Sequence, residues 1–304
     1  MVGFLSLIYK KNEMKALMYD VAEVWPTDLG GNKIKEEIKK NWLRPNAVVF
    51  LLSIVAFYTP ALILTLYDQY ANDGTVFVFP FKMYYFCQNN TTLYSYLLVF
   101  VFEIIFSTCL HMLVHAPCNL MLTILTCNIS MMMRWLQIDL ENVLEVSDGR
   151  AVFDEDKLKN IVKVHQKLLR LCEKLNECFG IAIFVSVVSS SLIIGFLAFL
   201  TLAIDKKYIV ATFVISFEML NLSWPGQLLA DMSYDIAEAA YRTQWYDADL
   251  KFKKFIYIII LRSQKPAQLS VLGFTNLTLR VFAKVLSSAW SYLSILNCAY
   301  ASRN

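Results

Sequence analysis

This chain of 304 residues holds little that could carry out covalent chemistry. It has three histidines, no glycine-rich phosphate loop and no strand-turn nucleophile motif, so the usual frameworks for phosphoryl and acyl transfer are missing. His111 and His115 stand four apart, a spacing able to hold a metal, but no glutamate-bearing zinc signature accompanies them and a structural role is the better reading. The seven cysteines, at 87, 109, 118, 127, 172, 178 and 298, show no paired spacing and indicate no disulfide framework. No enzyme activity, metal, cofactor or nucleic-acid partner is therefore expected. Charge is scarce too. Only 17% of residues are charged against 57% hydrophobic, and the mean hydropathy is +0.48. A soluble core of this length would leave too much apolar surface uncovered, which places the chain in a membrane.

Four apolar runs carry that conclusion. Residues 47–67 and 179–204 contain no charge, 93–114 contain only Glu103, and 208–230 contain only Glu218. Each reaches the roughly 20 residues needed to span a hydrocarbon core. With a more polar final run, 277–300, five crossings are expected, the whole forming an all-α membrane protein. Lysine and arginine fix its orientation. Residues 1–46 carry eight, 68–92 one, 115–178 eight, 205–207 two and 233–276 six, so rich and poor segments alternate. The N-terminus is thus expected in the cytoplasm and the C-terminus outside. Asn89 and Asn90 begin overlapping glycosylation acceptors in the loop assigned to the outside, where Cys87 also lies; Asn128, Asn221 and Asn276 head chance triplets in or near spans.

Three stretches on the inner side read as amphipathic helices. Residues 158–175 present Leu158, Ile161, Val162, Leu168, Leu169, Cys172 and Leu175 on one face and run into the third span; residues 120–146 extend the second span past Pro117. From 250 to 262, Phe252, Phe255, Ile256, Ile259 and Ile260 share a face, with Lys251, Lys253 and Lys254 off it. These faces bundle with one another and with neighbouring subunits, or the 250–262 helix lies on anionic lipid. The first 46 residues read as an apolar start too short for a span, without a signal-peptide cleavage site, followed by a basic, loosely helical loop broken at Pro26 and Gly30-Gly31. That start reads as the tail of a helix beginning further upstream. Three regions follow: 1–46, the cytoplasmic loop and the end of a preceding helix; 47–232, spans with their cytoplasmic extensions; and 233–304, the cytoplasmic 250–262 helix and the polar final run.

Large rings crowd the outer halves of the spans. Phe57, Tyr58, Tyr96, Phe100, Phe196, Phe213 and Phe217, with Glu103 among them, suit a small, mostly apolar ligand held by burial. Ordinary helix packing and an interfacial aromatic belt explain single rings equally well. Glu103 is costly at that depth unless paired or protonated, and serves as a pocket group or a helix contact. The final run is different. Arg280, Lys284, Ser287, Ser288, Ser291, Tyr292, Ser294 and Asn297 lie within it, and each charge at bilayer depth costs roughly 2.5 to 3.5 kcal/mol. It is expected to face protein or water, as in a pore.

The C-terminal third has a specific resemblance. Glu238-Ala239-Ala240-Tyr241, then Trp245-Tyr246-Asp247, Lys253-Lys254, a helix ending Arg262-Ser263-Gln264-Lys265-Pro266, and Ser291-Tyr292 resemble the insect odorant receptors in order and spacing, most strongly after residue 231. The resemblance implies seven spans with this orientation, of which these five are the third to seventh. It implies a non-selective cation channel of four subunits, gated by a small volatile odorant. Such a tuning receptor would assemble with the odorant co-receptor as a heterotetramer in the lipid of the plasma membrane of olfactory sensory neurons. It assigns Trp245, Tyr246, Arg262, Gln264 and Pro266 to the subunit anchor, and Ile295 and Ala299 to the gate. Ser288 and Ser291 are the alternative pore lining. Trp290 stands where the family usually has tyrosine, and Ala299 is small for a gate. A gustatory receptor-like channel or a membrane transporter are the alternatives, although no transporter-like internal repeat is visible.

Overall fold

The computed structural model describes residues 9–25, 93–110, 116–147, 150–203 and 208–301, with isolated positions at 6, 36, 40, 63 and 67. The expected first span, 47–67, therefore lies outside the described residues but for two positions, as do His111 and His115. Helix dominates. In chain order the elements are α1 (Lys11–Val24), α2 (Leu93–Leu110), α3 (Ala116–Glu141), a hairpin of β1 (Leu144–Ser147) and β2 (Arg150–Phe153), α4 (Glu155–Ala203), α5 (Tyr208–Arg242), a 3-10 turn (Trp245–Asp247), α6 (Leu250–Ser263), a small hairpin of β3 (Ser270–Val271) and β4 (Thr275–Asn276), and α7 (Leu279–Ala301).

Helix α1 is more regular than a basic loop. Leu17 and Val21, four apart, are buried, and Met14 and Val24 continue the same stripe, so one face packs while the lysines stay in water. Lys174 pairs with Asp20 at 2.6 Å and Lys167 with Glu23 at 2.9 Å, joining α1 to α4. Helix α3 starts at Ala116, so Pro117 sits in its first turn, where a missing N–H breaks no helical bond. The β1–β2 hairpin was not anticipated. Leu144 pairs with Phe153 and Ser147 with Arg150, leaving the two residues Asp148-Gly149 between, a sequence suited to a tight hairpin. Its Phe153 ring lies 5.1 Å from Phe252 of α6.

Helix α4 runs 49 residues, about 74 Å at 1.5 Å per residue, from an Asp154 cap whose carboxylate accepts from the N–H groups of Asp156 and Lys157. Among the described helices one, 155–201, is long and apolar enough by itself to cross a membrane. The apolar run on α2 is shorter, α5 carries Asn221, Pro225, Gln227 and Asp231, and α7 is diluted by serines. Below that span α3, α4, α5 and α6 pack around one core. Leu122, Ile129, Met133 and Leu136 of α3 meet Leu168, Leu175 and Phe179 of α4 and Leu229, Ile236 and Ala240 of α5. Phe252, Ile256 and Ile259 of α6 are buried in the same cluster, against α5. That apolar face of α6 is filled by protein, while Lys251 and Lys254 stay exposed. A second α6 surface, Tyr257, Ile258 and Leu261, remains exposed.

Two glycines let the segment leading to α7 come close. A side chain at Gly226 of α5 would run into the Leu277 carbonyl, whereas one at Gly180 of α4 would meet only a methyl of Leu272 at 3.3 Å. The obstacle is fixed backbone in the first case and a movable side-chain end in the second. Gly226→Ala should therefore cost about 1–3 kcal/mol by forcing α5 and the 277 backbone apart, with Gly180→Ala much milder. Thermal unfolding of the two variants in detergent checks the order.

Candidate ligand face, pore helix and linker

Tyr96, Phe100 and Glu103 fall at i, i+4 and i+7 on α2 and form one buried face. The two rings are tilted with centroids 5.6 Å apart. Both Glu103 carboxylate oxygens are buried with no hydrogen-bond partner among the described residues. Phe196 of α4 and Phe213 of α5, 61% and 71% exposed, do not join this buried face, and Phe217 is half-buried. Phe57, Tyr58, Asn89 and Asn90 lie outside the described residues.

Helix α7 has two unlike sides. Val281, Ala289 and Leu293 are buried where it packs on α4 and α5. Ser288, Ser291 and Ile295 recur at three- and four-residue steps and stay exposed, Ile295 by 66%. At about 100° per residue that stripe lies nearly opposite Leu293. Ala299 continues the helix four residues beyond Ile295. The Ser291 hydroxyl donates to the Ser287 carbonyl at 3.1 Å, so its polarity is satisfied within the helix and the stripe tolerates water without requiring it.

Between α6 and α7, residues 264–278 are fastened to the bundle by groups the sequence did not flag. The Asn176 side chain on α4 donates to the Gln268 carbonyl at 2.8 Å and accepts from the Ser270 N–H at 2.7 Å, imitating a strand partner. Ser233 of α5 accepts from the Ala267 N–H at 2.9 Å. At the other end of α6, Asp249 caps the helix through the Phe252 N–H at 2.9 Å, a signal legible as an Asp just before the apolar run. Of the anchor residues, Trp245 is flanked by Tyr241 and Tyr246, each ring 6.2 Å away. Arg262 is exposed and donates to the Lys265 carbonyl at 2.8 Å; Gln264 caps α6; Pro266 lines a cleft beside α5.

This arrangement of a long α4, a packed α6 and a two-faced α7 belongs to a known class. The family described as "7tm Odorant receptor" matches residues 1–290. The chain belongs to the odorant receptor family. Its members are multi-pass membrane receptors, not enzymes, and membership sets aside the gustatory and transporter alternatives. The receptor is 31% identical over 152 residues to odorant receptor 85b of Drosophila melanogaster, covering 48% of this chain and 39% of that protein. It is 24% identical over 193 residues to odorant receptor 67c of the same fly, covering 60% and 46%. The matched regions thus span less than half of these relatives. In fold it resembles the olfactory receptor OR5 of Machilis hrabei, solved in complex with eugenol, with a TM-score of 0.74 and 18% identity over 98% of this chain and 77% of that one. A second structure of the same receptor gives 0.72.

In this receptor one buried histidine sits close to the anchor. His165 of α4 is 5% exposed, and its Nε2 has no partner among the described residues. Burial, with the Arg262 charge adding to it, holds the imidazole down at about 4 from the usual 6.5. Nearby, bonds from Lys159 and Lys251 hold Glu155 of α4 at about 2, below its usual 4.5.

Two outcomes follow from this geometry. Asn176→Ala strands one linker carbonyl and one linker N–H, so it should cost roughly 1–3 kcal/mol and raise hydrogen exchange across 267–271 ahead of the α4 core. For His165 the folded form binds fewer protons than the unfolded one. Its contribution is complete above pH 6.5 and is lost as pH falls toward 4, whereas that of Glu155 is lost only between about 4.5 and 2. Unfolding midpoints measured against pH should fall between 6.5 and 4, and His165→Gln should flatten that segment alone.

Proposed function

We propose that this receptor is a tuning subunit of an odorant-gated, non-selective cation channel, assembled with the odorant co-receptor in the plasma membrane of olfactory sensory neurons. The observation that carries the reading is the exposed stripe of α7. Ser288, Ser291 and Ile295 face away from the bundle on a helix otherwise held by α4 and α5, and serines in such a row suit a wetted path shared with neighbouring subunits. Family membership supports the same assignment. In this reading Ile295 and Ala299 form the apolar constriction, and the N-terminus is cytoplasmic with the C-terminus outside.

Tyr96, Phe100 and Glu103 supply one wall of the ligand site, with Phe57, Tyr58, Phe196, Phe213 and Phe217 on other spans. A small, largely apolar volatile gains most of its affinity from burial against such rings. Gating then requires that the ligand prefer the open arrangement, each tenfold preference supplying about 1.4 kcal/mol per site. Eugenol, the ligand of the Machilis receptor, is a reasonable first odorant.

Expression with the co-receptor and whole-cell recording against an odour panel tests the reading. Ile295→Ser should raise ligand-independent current, because a polar ring at the constriction favours wetting. Phe100→Ala should weaken the odorant response while leaving that basal current alone. Basal current unchanged in Ile295→Ser would count against this gate.

A further inference from the structure

The linker, α5 and the first turns of α7 enclose a polar cleft of about 400 Å³ that the odorant-gating reading does not use. Its lining is unlike the aromatic outer halves. Arg280 and Lys284, one turn apart on α7, face it from one side; Asp231 and Tyr234 of α5 face it from another; Gln268 and Asn276 close it from the linker. Neither Arg280 nor Lys284 has an ion-pair or hydrogen-bond partner among the described residues, and both are exposed. Asp231 accepts from Gln227 at 2.8 Å, and Asn276 donates to Gln268, so the neutral side chains are already fixed in place.

We infer that this cleft binds a phosphorylated polyol, of the kind found as the headgroup of an inositol phospholipid. Two adjacent unpaired cations suit phosphate oxygens and exclude a free divalent metal ion. A bare inorganic anion would gain nothing from the carboxylate beside them, whereas ring hydroxyls donate to Asp231 and exchange hydrogen bonds with Tyr234 and the two amides. The volume is that of a small-molecule site. Position agrees: the sequence sets the inner membrane boundary near residue 277, and basic pockets at that level meet an anionic leaflet. Because the cleft joins α5 to the base of α7, an occupant would tie the linker to the pore helix.

Headgroup and lipid are separable. The full chain in detergent is titrated with inositol trisphosphate and with water-soluble dioctanoyl phosphatidylinositol bisphosphate, and binding is read by thermophoresis. Saturable binding of at least one probe is expected. Tighter binding of the lipid identifies a membrane source, and equal binding identifies a free one. The double variant Arg280→Gln with Lys284→Gln should bind about 30-fold more weakly, each cation being worth roughly fivefold near phosphate. The charge-preserving swap Arg280→Lys with Lys284→Arg should keep the helical circular dichroism and bind within a few-fold. Arg242→Gln, on the surface away from the cleft, should bind as the native chain does. Binding of neither probe, or equal binding by the charge-neutral double variant, overturns the site. Odorant-evoked current is a separate readout, so its fate leaves this result legible.

Discussion

The fold depends on a close approach between one segment of backbone and two long helices. Residues 264–278 lie against α4 and α5, where Gly226 leaves room for the Leu277 carbonyl and the Asn176 amide takes both a carbonyl and an N–H from the linker. A linker with little regular structure carries backbone groups that must find partners once they leave water. Here side chains on the helices supply them, with Ser233 adding a third bond. The start of α7 is therefore set by backbone contact, which is stiffer than a packing of side chains alone.

From that fixed start, the two sides of α7 take their separate roles. Val281, Ala289 and Leu293 are held by α4 and α5, so Ser288, Ser291 and Ile295 must turn away from the bundle. Helix α4 extends from the anchor region through its apolar span, with Asn176 on the linker and His165 beneath it. One rigid element thus touches α6, the linker and α7. The gate proposed above requires helical contact of this kind, since a ligand can shift only those elements that differ between its states.

Much of this was legible in the residues. The apolar periodicity of 158–175 and 250–262 identified faces that are buried, and the polar composition of 277–300 marked a helix with an exposed stripe. Other features were not. Asp148-Gly149 between short apolar runs is a hairpin signal, yet it was masked by the helical pattern on both sides. Helix α1 was hidden by its charges, because only Leu17 and Val21 of its narrow stripe are fully buried. Asn176 gave no local sign at all, since both of its partners lie more than 90 residues away.

The sequence by itself determined that this is a helical membrane protein and which residues of the C-terminal third mark the odorant receptors. Those properties follow from composition and from spacing along one helix, which are local. Only the tertiary structure decided that Tyr96, Phe100 and Glu103 are buried together while Phe196 and Phe213 are exposed, and that Arg280 and Lys284 share a cleft with Asp231. Which side of a helix is covered depends on what packs there, and no periodicity within a segment specifies its neighbour.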